Sequence, residues 1–111
     1  MVYIINIGLI FGTGESDGIL RIFDIASQKN VSSFDAHKNG INSISFSENG
    51  FFLASSGIKD NIVKLWDLRG PKLFKQIHLA ENKEVRSIQF DHTGQYLAIG
   101  GSNISIVNIK Y

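Results

Sequence analysis

The sequence predicts an all-β chain, a piece of a β-propeller in which one complete four-stranded blade is flanked by two partial blades. Three observations carry this. The chain repeats at a spacing of 44 residues: Ile41-Asn42-Ser43-Ile44-Ser45-Phe46 returns as Val85-Arg86-Ser87-Ile88-Gln89-Phe90, and Gly50-Phe51-Phe52-Leu53-Ala54 returns as Gly94-Gln95-Tyr96-Leu97-Ala98. The middle copy ends in Leu65-Trp66-Asp67-Leu68, and a Trp-Asp pair at a period of about 40–45 residues is the signature of a propeller blade. Short alternating runs separated by Gly, Asn, Asp and Ser are strand signals, and no stretch holds a helical period.

Taken in order, residues 1–7 stand outside the repeat. An inner strand and a polar turn are expected before Gly8, but Tyr3-Ile4-Ile5-Asn6-Ile7 runs straight into it. The segment reads either as a strand or as a mistaken start of translation. Residues 8–36 form the first partial blade: Gly8-Leu9-Ile10-Phe11 matches the segment from Gly50 to Leu53, and Arg21-Ile22-Phe23-Asp24-Ile25 matches the segment from Lys64 to Leu68. Strands are expected at 8–14, 19–25 and 31–34, with turns at Glu15-Ser16-Asp17-Gly18 and Ala26-Ser27-Gln28-Lys29-Asn30. Residues 37–80 form the complete blade. Its inner strand, 41–46, places Ile41, Ser43 and Ser45 on one face and Asn42, Ile44 and Phe46 on the other. Strands at 51–56, 62–68 and 73–77 follow, with Arg69-Gly70-Pro71 as a breaker because Pro cannot donate to a ladder. Residues 81–111 form the second partial blade, ending near the close of its third strand.

Two and a half repeats cannot close a ring of 4–8 blades, and a terminal blade lacks a neighbour. The expectation is a fragment of a longer protein or a truncated gene model. Net charge is +1 over 111 residues, with the signs mixed, which gives no electrostatic footprint for nucleic acid or a membrane surface. The absence of cysteine removes disulfides and thiolate metal sites. Apolar runs are too short to span a bilayer, and residues 1–7 have no basic residue or cleavage site of a secretory signal. A cytosolic or nuclear location is the default.

The middle copy carries the makings of a buried polar network. His37 precedes the inner strand, Ser55 or Ser56 ends the second, Asp60 lies in the next turn, and Trp66 lies on the third strand. A buried indole N–H needs an acceptor. A hydroxyl accepts from it, a His donates to the hydroxyl, and an Asp fixes the His tautomer. The assigned set is His37, Ser56, Asp60 and Trp66, with Ser55 as the alternative hydroxyl. Its role is structural: the composition mimics a Ser-His-Asp triad, but the hydroxyl is engaged by Trp66 rather than offered to substrate. The first copy keeps Asp17 six residues before Phe23, which has no N–H to donate. In the last copy Glu81 stands where His37 stood, and Ile106 or Val107 replaces the Trp.

Other motifs are weaker. Gly14-Glu15-Ser16-Asp17-Gly18 fits G-x-S-x-G, but a nucleophile elbow leads into a helix and residues 19–23 alternate as a strand. Gly12-Thr13-Gly14 has no following helix to bind a pyrophosphate. Asn30-Val31-Ser32 and Asn103-Ile104-Ser105 fit glycosylation acceptors only in an exported chain. His78 and His92 have no companions at metal-ligand spacing, so no metal or cofactor is expected. Lys72-Leu73-Phe74-Lys75 reads as a lysine-protected edge strand, with a partner-facing rim as the alternative. An enzyme using Ser16 or Ser55 with a His is the remaining catalytic reading.

Beyond the WD40 pattern, particular strings resemble the pre-mRNA-processing factor 19 family: Phe11-Gly12-Thr13-Gly14, Ile22-Phe23-Asp24-Ile25, Ile44-Ser45-Phe46-Ser47-Glu48-Asn49-Gly50, Val63-Lys64-Leu65-Trp66-Asp67-Leu68-Arg69 and Tyr96-Leu97-Ala98-Ile99-Gly100-Gly101. The resemblance implies late blades of a WD40 propeller from a nuclear splicing factor. In the whole protein it implies U-box ubiquitin ligase activity, a link to DNA repair, and tetramerisation through a coiled coil. Neither U-box nor coiled coil is in this sequence, so no catalytic residue carries over. The implied partners are proteins, namely a spliceosome-associated complex and ubiquitylation substrates, with no direct nucleic-acid or membrane contact. A fragment of an unrelated WD40 scaffold, a signalling or chromatin adaptor, is the alternative.

Overall fold

A computed structural model of the chain describes residues 3–7, 10–48, 50–70, 72–79 and 84–109, with side chains described from residue 10 onward. Among these residues every regular element is a strand. Alternating apolar and small polar residues, interrupted by Gly, Asn and Asp, form three antiparallel meanders. The first sheet is β1 (Tyr3–Ile7), β2 (Ile10–Gly14), β3 (Ile19–Asp24) and β4 (Asn30–Asp35), paired in that order. The second is β5 (Ile41–Phe46), β6 (Phe52–Gly57), β7 (Ile62–Asp67) and β8 (Lys72–His78). The third is β9 (Val85–Phe90), β10 (Tyr96–Gly101) and β11 (Ile104–Asn108). The first strands of the sheets lie side by side, β1 next to β5 and β5 next to β9, as blades do around a propeller axis. The chain is thus all-β and built as WD40-type propeller blades.

The segment that the repeat pattern left outside has a place in this arrangement. Tyr3–Ile7 pairs antiparallel with β2, Tyr3 opposite Gly14 and Ile7 opposite Ile10. The first sheet therefore has four strands, like the second. Strand pairing uses backbone groups, so a Tyr- and Ile-rich segment fills the position without copying residues 41–46. Residues 1, 2, 8 and 9 lie outside those described.

The repeat fixes the turns as well. Gly50 and Gly94 occupy the same place in the β5–β6 and β9–β10 hairpins, with φ of 79° and 75°. Each closes its turn by donating its N–H, Gly50 to the Ser47 carbonyl at 3.0 Å and Gly94 to that of Asp91 at 3.1 Å. Only glycine takes this backbone conformation without steric cost.

Two apolar layers hold the sheets together. Leu20, Ile22, Ala36, Ile41, Ile44, Phe46, Leu53 and Trp66 fill the space between the first and second sheets. Phe52, Ala54, Val63 and Leu65 pack against Val85, Ile88, Phe90, Leu97 and Ile99 between the second and third. The central sheet is covered on both faces, which is why Phe52 through Ser56 is buried without a break.

One face assignment changes. Strict alternation put Ile41 with Ser43 and Ser45. Instead the register shifts between Ile41, opposite Gly57, and Ser43, opposite Ser56. This bulge turns Ile41 into the layer of Ile44 and Phe46 and leaves Asn42 free to donate its side-chain N–H to the Val85 carbonyl of the third sheet. One extra residue in a strand exchanges the faces of everything beyond it.

Candidate functional site

The polar network forms at the end of the central sheet where the β4–β5 loop crosses the β6–β7 turn. The loop is pinned by the Gly18 carbonyl, which accepts from Ala36 N at 3.0 Å and from His37 N at 3.2 Å. The His37 carbonyl accepts in turn from Gly40 N at 3.2 Å. In the β6–β7 turn, Lys59 and Asn61 take positive φ of 61° and 55° on either side of Asp60. Asp60 Oδ1 accepts from Ile62 N at 3.1 Å, so the side chain caps its own turn and directs Oδ2 inward. There Oδ2 lies 2.7 Å from His37 Nδ1. His37 Nε2 lies 2.9 Å from Ser55 Oγ, and Trp66 Nε1–H donates to that same oxygen at 3.0 Å.

The proton positions follow from the partners. Asp60 accepts only, so Nδ1 carries the hydrogen and Nε2 of the neutral imidazole is an acceptor. The Ser55 hydroxyl therefore donates to His37 while it accepts from Trp66. This reverses the direction expected from sequence, where the imidazole was the donor. Burial pushes the His37 pKa below its ordinary value, and the hydrogen bond and charge of Asp60 work against that shift. A protonated His37 would donate from both nitrogens and leave the Ser55 hydrogen without its acceptor.

The hydroxyl in the network is that of Ser55, not Ser56. Trp66 stands opposite Leu53, and side chains on β6 alternate, so Ser55 shares Leu53's face and Ser56 the other. Ser56 instead meets Ser43 across the β5–β6 pair, with Oγ atoms 2.6 Å apart. Its partner Ser43 reaches that face by regular alternation with Ser45, beyond the bulge at Ile41. Phe34 stacks on Trp66 with ring centres 4.7 Å apart, which packs the indole that the hydroxyl orients.

Ser55, His37 and Asp60 have the spacing of a catalytic triad, and Ser55 has 0% exposure. A nucleophile must meet its substrate; this oxygen is enclosed and already accepts the indole N–H. Ser16, in the G-x-S-x-G string, lies in the turn between β2 and β3, so a strand rather than a helix follows it. Neither serine has the setting of an activated nucleophile. His78 and His92 are both exposed. Among the described residues no group of His, Asp and Glu is arranged to hold a metal.

The other copies keep parts of the pattern. Asp17 repeats the self-capping of Asp60, accepting from Ile19 N at 3.0 Å, but its other oxygen takes Arg21 Nη2 at 2.9 Å. Thr13 and Phe23 stand where Ser55 and Trp66 stand, by register, and Thr13 Oγ1 is buried without a hydrogen-bond partner. In the third sheet Val107 opposes Leu97 as Trp66 opposes Leu53, so Val107 rather than Ile106 replaces the indole. Glu81 lies outside the described residues.

The same end of the molecule carries two clefts, one at each junction between neighbouring sheets. One, of about 440 Å³, is lined by Asn42, Gly57, Ile58, Lys59, Asn61, Glu84 and Val85. The other, of about 360 Å³, is lined by Asp17, Gly18, Asp35, Ala36, His37, Lys38 and Lys64. Both mix charge signs and are walled by turn and loop residues together with strand residues, Asn42 and Val85 in the first and Asp35 and Lys64 in the second. Their patchwork gave no signal in sequence, because it is assembled from residues of neighbouring blades.

Comparison with known proteins agrees with this architecture. Residues 28–67 match the family model of the WD domain, G-beta repeat. The chain is 50% identical over 103 residues to pre-mRNA-processing factor 19 of Homo sapiens, covering 93% of this chain and 20% of that protein. It is 44% identical over 99 residues to pre-mRNA-processing factor 19 homolog 2 of Arabidopsis thaliana, covering 89% of this chain and 18% of that protein. With the Oryza sativa protein of the same name the figures are 40% over 103 residues, 92% and 19%. The chain thus spans about one fifth of the length of these relatives. Among solved structures, the β-propeller domain of Myceliophteria thermophila Cps50 (Swd1) superposes with a TM-score of 0.85 at 21% identity, over 99% of this chain and 36% of that one. That likeness concerns the fold.

Proposed function

We propose that this chain of WD40 blades, similar along nine-tenths of its length to pre-mRNA-processing factor 19, is a protein-docking segment of a splicing factor of that type. The observation that carries the reading is the 50% identity over 103 residues with the human protein, which far exceeds the 21% identity with a propeller of different name. The His37–Ser55–Trp66–Asp60 network serves as a structural clamp. It ties the β4–β5 loop, the β6–β7 turn and the third strand into one rigid end, and so fixes the turns that wall the two clefts. Rigid sheets presenting variable turns are the common arrangement for binding surfaces. The mixed charges of Lys59, Glu84, Asp35 and Lys38 suit a protein partner rather than a nucleic-acid backbone, which calls for a basic stripe.

In the whole protein this segment would dock spliceosome-associated proteins or ubiquitylation substrates in the nucleus, and ligase chemistry would lie in a U-box elsewhere. The test is immunoprecipitation from nuclear extract of the source cells with an antibody against residues 69–79. Enrichment of spliceosomal small nuclear RNAs and proteins is expected, and the precipitated species should run well above 12.3 kDa. Precipitation without any splicing component would overturn the reading and favour an unrelated WD40 scaffold.

A further inference from the structure

The β4–β5 loop carries a chemically reactive pair that the polar network holds still. Asn39-Gly40 is one of two Asn-Gly pairs in the sequence, the other being Asn49-Gly50. Asparagine is thermolabile, and most so before glycine, whose backbone nitrogen closes on the side-chain amide without hindrance from a Cβ. The Asn39 side chain is exposed and has no hydrogen-bond partner among the described residues. Gly40, in contrast, is buried and fixed on every side. Its N–H donates to the His37 carbonyl at 3.2 Å, and its carbonyl accepts from Ile58 N at 3.0 Å. Its φ is 107°, and a Cβ there would lie 3.1 Å from the Ser16 carbonyl oxygen. The flanking backbone is held as well. Ala36 N and His37 N donate to the Gly18 carbonyl, Ile41 N donates to that of Glu15 at 3.0 Å, and Lys64 Nζ donates to the Ala36 carbonyl. The His37 side chain is locked between Asp60 and Ser55. The nitrogen that would react is thus engaged, and the loop cannot swing it toward Asn39 Cγ while these bonds hold.

We propose that Asn39-Gly40 is a site of spontaneous deamidation gated by the His37–Ser55–Trp66–Asp60 clamp. When the loop opens, Gly40 N leaves the His37 carbonyl and attacks Asn39 Cγ. The N–Cγ bond forms, and the side-chain nitrogen departs as ammonia, taking the Gly40 proton. Water then opens the five-membered imide at either carbonyl and leaves aspartate or isoaspartate. Water is the only co-reactant. In isoaspartate the chain runs through the former side-chain carbon, so an extra backbone atom enters a loop that is bonded to both neighbouring sheets. The closed clamp therefore protects the site, and reaction at the site loosens the clamp irreversibly. This rests on the geometry of the loop and not on the splicing assignment.

The experiment ages the folded 111-residue chain in neutral buffer and follows deamidation at Asn39 and Asn49 by tandem mass spectrometry, with isoaspartate detected by enzymatic carboxyl methylation. The variants are Ser55→Ala and Asn39→Gln, and Trp66 emission checks that each is folded throughout. Gly50 lies in the β5–β6 turn, at the opposite end of the central sheet from the clamp, so the Asn49 site reports general unfolding in the same molecules. Asn39 is expected to react more than about tenfold more slowly in the folded wild type than in chain unfolded by guanidinium. Ser55→Ala should speed Asn39 by about tenfold and change Asn49 far less. On ageing, the wild-type urea midpoint should fall as isoaspartate accumulates at Asn39, and that of Asn39→Gln should fall less. The proposal is overturned if Asn39 reacts as fast folded as unfolded, or if Ser55→Ala leaves its rate unchanged. It is also overturned if Ser55→Ala speeds both sites alike, because general unfolding and not the clamp would then be the gate. Equal loss of midpoint in aged wild type and Asn39→Gln overturns the claim that reaction loosens the clamp.

Discussion

Replacing Ser55 by Ala tests whether the polar network holds the blade together. The substitution removes one oxygen, but that oxygen has two partners: it accepts from Trp66 Nε1 at 3.0 Å and bonds His37 Nε2 at 2.9 Å. Trp66 and His37 are 5% and 4% exposed, so water does not replace it. Each buried group left unsatisfied costs roughly 1–3 kcal/mol, and the pair should cost about 2–6 kcal/mol. For a chain of this size, whose whole stability is about 5–15 kcal/mol, that is a large fraction. With a urea slope of about 1–3 kcal/mol/M, the unfolding midpoint should fall by about 1–3 M. Trp66 is the single tryptophan, so its emission reports the transition at the site itself. Ser56→Ala is the control: it breaks one bond, to Ser43 Oγ, and should cost about 1 kcal/mol. The reasoning is refuted if Ser55→Ala costs no more than Ser56→Ala.

Three further outcomes are expected. A Cβ at Gly57 would run into the Asp60 carboxylate and His37 Nδ1, so Gly57→Ala should cost about 1–3 kcal/mol in a thermal melt; Gly70→Ala, where a Cβ meets nothing within 4 Å, should stay within about 0.5 kcal/mol of wild type. At Gly50, with φ of 79° and open space around it, alanine should cost about 1–2 kcal/mol from backbone strain alone. Stability should also depend on pH through His37. Its folded pKa lies below the ordinary 6.5, so on acidification the unfolded chain takes up its proton first. The His37 contribution is therefore complete above about pH 6.5, declines as pH falls through the folded value, and then levels. Asp17, Asp67 and Asp91, held below the ordinary 3.8 by hydrogen bonds from Arg21, Arg69 and Thr93, add a separate loss at lower pH. Urea midpoints of wild type and His37→Asn across this range check the point: the variant should lack the step that begins near neutrality.

Much of the fold was legible because it is periodic. The spacing of 44 residues fixed the hairpin turns at Gly50 and Gly94, and alternation with Gly and Asn punctuation fixed the strands from Ile19 to His78 within a residue or two. The partners Asp60, His37 and Trp66 were legible because a buried indole and imidazole need specific acceptors and donors. The choice between Ser55 and Ser56 was not. Adjacent residues on a strand differ only in face, and the face depends on which residue of β7 lies opposite. The place of Tyr3–Ile7 was hidden for a related reason: ladder bonds are made by backbone, so the segment joins the first sheet without any side-chain signature of the repeat.

The sequence by itself determined the class and the unit: strands by alternation, turns by glycine, a blade by the return of the pattern with Trp66-Asp67. Tertiary structure decided which way side chains turn and what covers them. The bulge after Ile41 exchanged the faces of Ile41 and Asn42, the opposition of Trp66 and Leu53 chose Ser55, and stacking on the third sheet gave Val63 and Leu65 a cover that Ile104 and Ile106 do not have among the described residues. Local patterns set backbone conformation residue by residue, whereas face and burial depend on registers and neighbours that are distant in the chain and exist only once the sheets have packed.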